Sequence, residues 1–226
     1  MTAFDAAAIQ SLLGALDEQL AARGTTADIY LVGGAAIALS FDAARTTRDL
    51  DAVFAPASEV RAAARNVADQ FGLAEDWLND AVKGFVPPGA DAGQRVIFES
   101  AHLRVCVAGA EHLLAMKVAA ARVEQDRGDL AHLVEALGLR SADQALQIAR
   151  DCLGPAYPIP PRALYLLDEI FEELGAAATL RGVACGANPP VDPVPGPGPG
   201  VGLVEPPPGS PACFSTRSAT RSATLW

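Results

Sequence analysis

Residues 28–54, DIYLVGGAAIALSFDAARTTRDLDAVF, constrain the fold of this chain more than any other stretch. Ile29 to Val32 is a short β-branched and apolar run that Gly33-Gly34 stops abruptly, which predicts a strand ending in a tight turn. A short helix and a connection follow. Asp49-Leu50-Asp51-Ala52-Val53-Phe54 then alternates with the period of a second strand. On that strand Asp49 and Asp51 emerge on one face, while Leu50, Ala52 and Phe54 pack on the other.

The residue types at the two strand ends carry chemistry. Glycine has no Cβ and tolerates positive φ, so a Gly-Gly backbone turns sharply and approaches a phosphate closely. Amides opening the next helix point at such an anion, helped by the helix dipole. Two carboxylates side by side repel unless a cation sits between them. Magnesium, held by one or two carboxylates plus substrate phosphates, is the expected occupant. Each piece alone has a plainer reading: Gly-Gly as a tight turn, and Asp-x-Asp as a solvated strand edge. Their combination favours a site, because Asp is a poor strand former and a like-charged pair on one face is destabilising.

Residues 111–124, EHLLAMKVAAARVE, predict a helix with a lysine in an awkward place. The helical neighbours of Lys117 are Leu113, Leu114, Ala120 and Ala121, so its ammonium lies on an apolar face. Lysine is almost never fully buried without a partner. It either snorkels to the domain edge or lines a cleft where a phosphate or carboxylate neutralises it. A further helix begins near Arg122, with Leu130, Leu133, Val134 and Leu137 as its apolar stripe, and Asp126 or Asp129 is placed to cap it.

Val32-Gly33-Gly34, fourteen residues, then Asp49-Leu50-Asp51 resembles the signature of the polymerase-beta-like nucleotidyltransferase superfamily. The resemblance implies an α/β (α+β) nucleotidyltransferase fold: a small mixed sheet flanked by helices, followed by a helical cluster. It further implies that Gly33 and Gly34 hold a triphosphate, that Asp49 and Asp51 are catalytic and hold magnesium, and that Arg48 neutralises charge. In that superfamily a third carboxylate commonly lies on a later strand. Residues 103–107, LRVCV, contain no acid, and Glu99 at the end of the preceding strand is the only nearby substitute. Glu111, Leu113, Leu114, Ala115, Lys117, Arg122, Asp126, Asp129 and Leu130 look like the later motif of bacterial nucleotidyltransferase toxins from toxin–antitoxin and abortive-infection systems. That likeness, over residues 31–137, implies nucleotide binding by Lys117 and Arg122, with Asp126 or Asp129 shaping the site. It also implies an NTP substrate, an antitoxin or other protein partner, and an RNA end, protein hydroxyl or small molecule as acceptor.

The rest of the chain fills in around these motifs. Residues 5–23 and 57–71 predict amphipathic helices, and residues 95–99 and 103–107 an antiparallel strand pair. Residues 77–85 lack clean periodicity and read as a loop, either plain or beside a nucleotide. Ser141 to Gln144 is a capping-box pattern. Pro161 opens a last helix with Leu164, Leu167, Ile170, Phe171 and Leu174 inward and Gly175 after it. From about residue 183 a Pro/Gly-rich and then Ser/Thr/Arg-rich tail predicts disorder. The division is thus a core over 1–109, a helical part over 110–182 and a tail over 183–226.

Charge and cysteine usage narrow the function classes. The net charge of −10 belongs to the part before the tail, where Asp192 and Glu205 offset Arg217 and Arg221. An acidic domain gains nothing from counterion release on long nucleic acid, so an RNA acceptor is not favoured. Cys106, Cys152, Cys185 and Cys213 form no CxxC, and His102, His112 and His132 no ligand spacing, so zinc is not expected and the thiols fit a cytoplasmic protein. No apolar run has the length of a membrane span.

Overall fold

The computed structural model describes residues 3–41 and 45–185, with side chains of the last helix as far as Ala177. Residues Met1–Thr179 form one compact unit, and of the second, Leu180–Trp226, only the end of that helix is described. The expected disordered tail lies outside the described residues, except that 183–185 are helical.

Helix α1 (Ala6–Ala22) starts where Asp5 accepts the Ala8 N–H at 2.8 Å, and it buries Ile9, Leu12, Leu13, Leu16 and Leu20. Strand β1 (Ala27–Leu31) leads through Val32 into α2 (Gly33–Ser40), and β2 (Leu50–Ala55) leads into α3 (Ala57–Phe71), closed by Gly72 at φ 65°. Strand β3 (Leu78–Asn79) and a 3-10 turn over Ala81–Gly84 follow, then β4 (Arg95–Glu99) and β5 (Leu103–Val107). Four helices complete the order: α4 (Ala110–Ala120), α5 (Val123–Ala136), α6 (Ala142–Leu153) and α7 (Pro161–Cys185).

The five strands form one mixed sheet in the order β3-β2-β1-β5-β4. β1 runs antiparallel to β2 and parallel to β5, β2 is parallel to β3, and β4 is antiparallel to β5. One sheet face carries Ile29, Leu31, Leu50, Ala52, Phe54, Val105 and Val107, all in the same core as Leu13, Val60 and Val67 from the helices. Burying each of the larger of these side chains stabilises the fold by about 1.5–3 kcal/mol, which is why the pairing register is not free to slip. Asp51, Val53, Tyr30 and Cys106 occupy the other face.

Three local expectations are corrected. Residues 77–85 are not all loop: Leu78 and Asn79 pair with Leu50 and Asp51 as an edge strand, and the Leu50 N–H donates to Trp77 O at 2.6 Å. Trp77 sets this, since its buried indole N–H donates to Ala64 O on α3 at 2.9 Å. The helix expected over 111–124 ends earlier, at Ala120, because Ala121 takes φ 45°; the further helix does begin near Arg122, which is the N-cap of α5. The last helix does not stop at Gly175; a lone helical glycine costs only about 1 kcal/mol, and α7 runs through to Cys185. Its buried residues are Ala163, Leu166, Leu167 and Ile170, while Leu164 is exposed.

The Ser141 hydroxyl accepts the Gln144 N–H at 3.4 Å, and the Gln144 side chain returns to the Arg140 N–H at 2.7 Å, one residue earlier than the standard capping box. Among the described residues no helix is long and apolar enough to cross a membrane.

Candidate active site

The Gly-Gly turn and the aspartate strand meet at the ends of β1 and β2. The Val32 N–H donates to Asp51 O at 2.9 Å, so one backbone bond ties the turn to the strand. Gly33 takes φ 63°, a left-handed conformation that an L-residue enters at a cost of about 1–2 kcal/mol. A Cβ on Gly33 would lie 3.0 Å from Asp51 Oδ2, and one on Gly34 would lie 2.9 Å from Thr47 Oγ1. Close approach therefore requires glycine at both positions, and at Gly33 the backbone angle requires it as well.

Thr47 orders the segment leading to the carboxylates. Its hydroxyl donates to Asp49 O at 3.0 Å, and its backbone pairs in both directions with Phe4, at 2.7 and 3.0 Å. Asp51 sits on β2 beside Asn79 of β3, partly buried, and Asp49 lies just before the strand. Partial desolvation raises the Asp49 pKa above the usual carboxylate value; the charges of Asp51 and then Asp76 push the same way, and Arg122 opposes them. The Asp49 residue as a whole is open to solvent, so the neighbouring carboxylate is the firmer of these causes.

Glu99 does not join this pair. It ends β4 at the opposite edge of the sheet, with β1 and β5 between it and β2. The register aligns it with Arg104, Asp28 and Ala55, the far end from Asp51, and its exposed carboxylate lies 3.7 Å from Arg104. A separation of three strand spacings, about 14 Å, puts it beyond any shared cation. On β5 the residues facing the same side as Asp51 are Arg104 and Cys106, neither a carboxylate.

The acid on that side with a defined environment is Asp91, which the sequence reading did not single out. Asp91 accepts hydrogen bonds from the Tyr30 hydroxyl at 2.6 Å, the Gly109 N–H at 2.7 Å and the Gly93 N–H at 2.9 Å. Both its oxygens are engaged, so it clips the loop before β4 to the start of α4. Burial, and then this hydrogen bond, drive the Tyr30 phenol pKa far up, and His112 Nδ1 lies 3.2 Å from the same hydroxyl.

The second cluster is built by the break between α4 and α5. Lys117 Nζ lies 2.7 Å from Asp126 Oδ1 and 2.8 Å from Asp129 Oδ2. Both carboxylates are fully buried, and the lysine side chain is 9 % exposed. Asp126 also accepts the Arg122 N–H at 2.9 Å and lies 3.3 Å from the Arg122 side chain. Burial alone would raise the Asp126 pKa; the hydrogen bonds from Lys117 and Arg122 outweigh it and hold that pKa below the usual value. Arg45 also holds Asp129, with Nη2 donating at 3.0 Å to the Oδ2 that Lys117 shares and Nη1 2.8 Å from Oδ1.

Lys117 is thus enclosed by Asp126 and Asp129 on α5, and not by Asp49 or Asp51. Arg122 lies in the electrostatic reach of Asp49, and Arg48 is exposed in the bend before it. Arg45 was missed by sequence reading. Its only signal was a basic residue inside the spacer, while its partner lies 84 residues on.

The family model described as "Nucleotidyltransferase of unknown function (DUF6036)" matches residues 11–139, more than half the chain. The match spans the Gly-Gly turn, the aspartate strand and the Lys117 cluster, and the five-stranded mixed sheet with flanking helices agrees with a nucleotidyltransferase fold. No curated protein matches the chain. With the family match and the fold in agreement, the chain belongs to this nucleotidyltransferase family.

Proposed function

We propose that this protein transfers a nucleoside monophosphate from an NTP to an acceptor, releasing pyrophosphate, in a magnesium-dependent reaction. The observation that carries the reading is the seating of Gly33 against Asp51, with 3.0 Å between a hypothetical Cβ and the carboxylate. It joins an anion-binding helix start to a pair of cation-seeking carboxylates. The donor chemistry fits magnesium: Asp49 and Asp51 are neighbouring hard oxygen donors whose charges repel each other. Two carboxylates completed by phosphate oxygens is the usual magnesium environment. When bound, the ion would neutralise charge on the transferring phosphoryl group.

The protein's own groups do the rest by position and charge. Gly33 and Gly34 amides bind the triphosphate, Asp49 and Asp51 hold the cation, and Arg122 faces the charge beside Asp49. Lys117, Asp126 and Asp129 form the buried frame that orients the arginines. The likeness of the α4–α5 motif to nucleotidyltransferase toxins supports a toxin with an antitoxin partner, and the net charge of −10 favours a protein or cationic small-molecule acceptor over RNA. The free thiols of Cys106 and Cys152 suit a cytoplasmic setting.

A second reading, a nucleotide- or partner-binding module without turnover, is favoured by the position of Glu99 and the lack of a carboxylate on β5. Incubation of wild type and Asp51→Asn with each labelled NTP, magnesium and cell extract separates the two. Label transferred by wild type alone supports the transferase. NTP bound by wild type with no label transferred to any acceptor supports the module.

A further inference from the structure

We infer that Arg45 is the phosphate-contacting residue at the Gly33-Gly34 turn, with Asp129 as its positioning residue and Lys117 as the interior counter-charge. The inference rests on the nucleotidyltransferase reading and deepens it.

Accessibility separates the cations. Three of them, Lys117, Arg45 and Arg122, face two carboxylates, so the cluster carries surplus positive charge. The Lys117 side chain is 9 % exposed and held by two buried carboxylates, so an incoming phosphate reaches it only by displacing them. The Arg45 side chain is 32 % exposed. The surplus charge is therefore presented by the arginines.

Position then selects Arg45 for the glycine end. Its Nη2 lies 3.9 Å from where a Cβ on Gly34 would sit, beside the amides that open α2. Thr47 Oγ1 lies on the same side of Gly34, at 2.9 Å from that point. Asp129 holds the guanidinium end-on, with Nη2 donating to Oδ2 and Nη1 ion-paired with Oδ1, which leaves the Nε–H, buried and without a hydrogen-bond partner, and the outer Nη2 N–H together on another edge of the plane. A planar donor edge of this kind, next to the amides that open α2, matches the oxygens of a phosphate. Arg122, in reach of Asp49, serves the other end of the site.

The test uses magnesium tripolyphosphate, which reports the phosphate site whatever base the enzyme prefers, and each of the four magnesium NTPs, by titration calorimetry on the full chain. Arg45→Gln, which keeps a donor towards Asp129 while removing the charge, is expected to weaken tripolyphosphate and NTP alike by about 10-fold or more, the loss of one charge-assisted contact. Asp129→Asn alone weakens them too, yet adds nothing further in the Arg45→Gln background, because it acts through Arg45. A purely structural Asp129 would give additive losses in that cycle and overturn its role. As a check that needs no variant, tripolyphosphate is expected to protect Arg45 of wild type from phenylglyoxal, read by peptide mass spectrometry. Equal modification with and without tripolyphosphate, or wild-type affinity in Arg45→Gln, overturns the assignment of Arg45 alone. Wild type that binds neither tripolyphosphate nor any NTP overturns the transferase reading and this inference with it.

Discussion

Lys117→Met is the substitution whose outcome depends most on the buried cluster. Methionine keeps most of the packing volume and removes the charge. It leaves Asp126 and Asp129, both fully buried, with Arg122 and Arg45 as their remaining partners. Removing one member of a buried ion pair costs about 3–5 kcal/mol. Because each carboxylate keeps one arginine, the expected loss is at the lower end, about 3 kcal/mol. In a fold of this size that lowers Tm by roughly 6–12 °C. Urea unfolding by circular dichroism at neutral pH measures it, with the m value unchanged. A triple variant, Lys117→Met with Asp126→Asn and Asp129→Asn, should regain more than half the loss, because neutral amides need no counter-ion. A Tm for Lys117→Met within about 2 °C of wild type would mean that the three charges are not a closed buried unit, and would refute the reasoning.

Other perturbations test separate parts of the structure. Asp126 titrates below its ordinary value when folded, so the unfolded chain binds more protons and stability rises with pH in that range. This contribution is complete above about pH 5 and is lost as pH falls through the folded value, so Asp126→Asn should flatten the acid limb of stability against pH; parallel limbs would contradict it. Gly33→Ala meets both the φ of 63° and the 3.0 Å approach to Asp51, so it should destabilise by about 1–2 kcal/mol and weaken magnesium binding in a calorimetric titration. Trp77→Phe removes the indole bond to Ala64 O and should cost about 1–3 kcal/mol in urea unfolding, whereas unchanged stability would show that β3 is not pinned through Trp77.

Elements with a local signal were legible before any coordinates. The span of α3 is readable because Val60, Ala64 and Val67 recur at helical spacing and Gly72 closes it. The β4–β5 pair is readable from two apolar runs with a short link. What depended on distant partners was not. Two-residue β3 has no period, and its place follows from Trp77 packing on α3. The break at Ala121 carries no Gly or Pro to announce it. Glu99 was mislocated because a sequence gives strands in chain order, whereas β1 and β5 come between β2 and β4 in space. At the candidate site, the seclusion of Lys117 was visible in its four apolar neighbours, but the identity of its partners required the turn between α4 and α5.

The kink at Ala121 also separates the cluster in time. Lys117 and Asp126 are nine residues apart, while Arg45 and Asp129 are separated by 84. Loop entropy grows with the logarithm of length, so closing the longer loop costs about 2 kcal/mol more than the shorter. The lysine corner can therefore close at the rate of a local helical hairpin, whereas the arginine arm must wait for the sheet to bring its segment round. Synthesis from the N-terminus imposes the same sequence of events. The Gly-Gly turn, Arg45 and both aspartates leave the ribosome first, yet Arg45 has no anchor until α5 has been made. The element synthesised later is the one that sets the earlier one's reach.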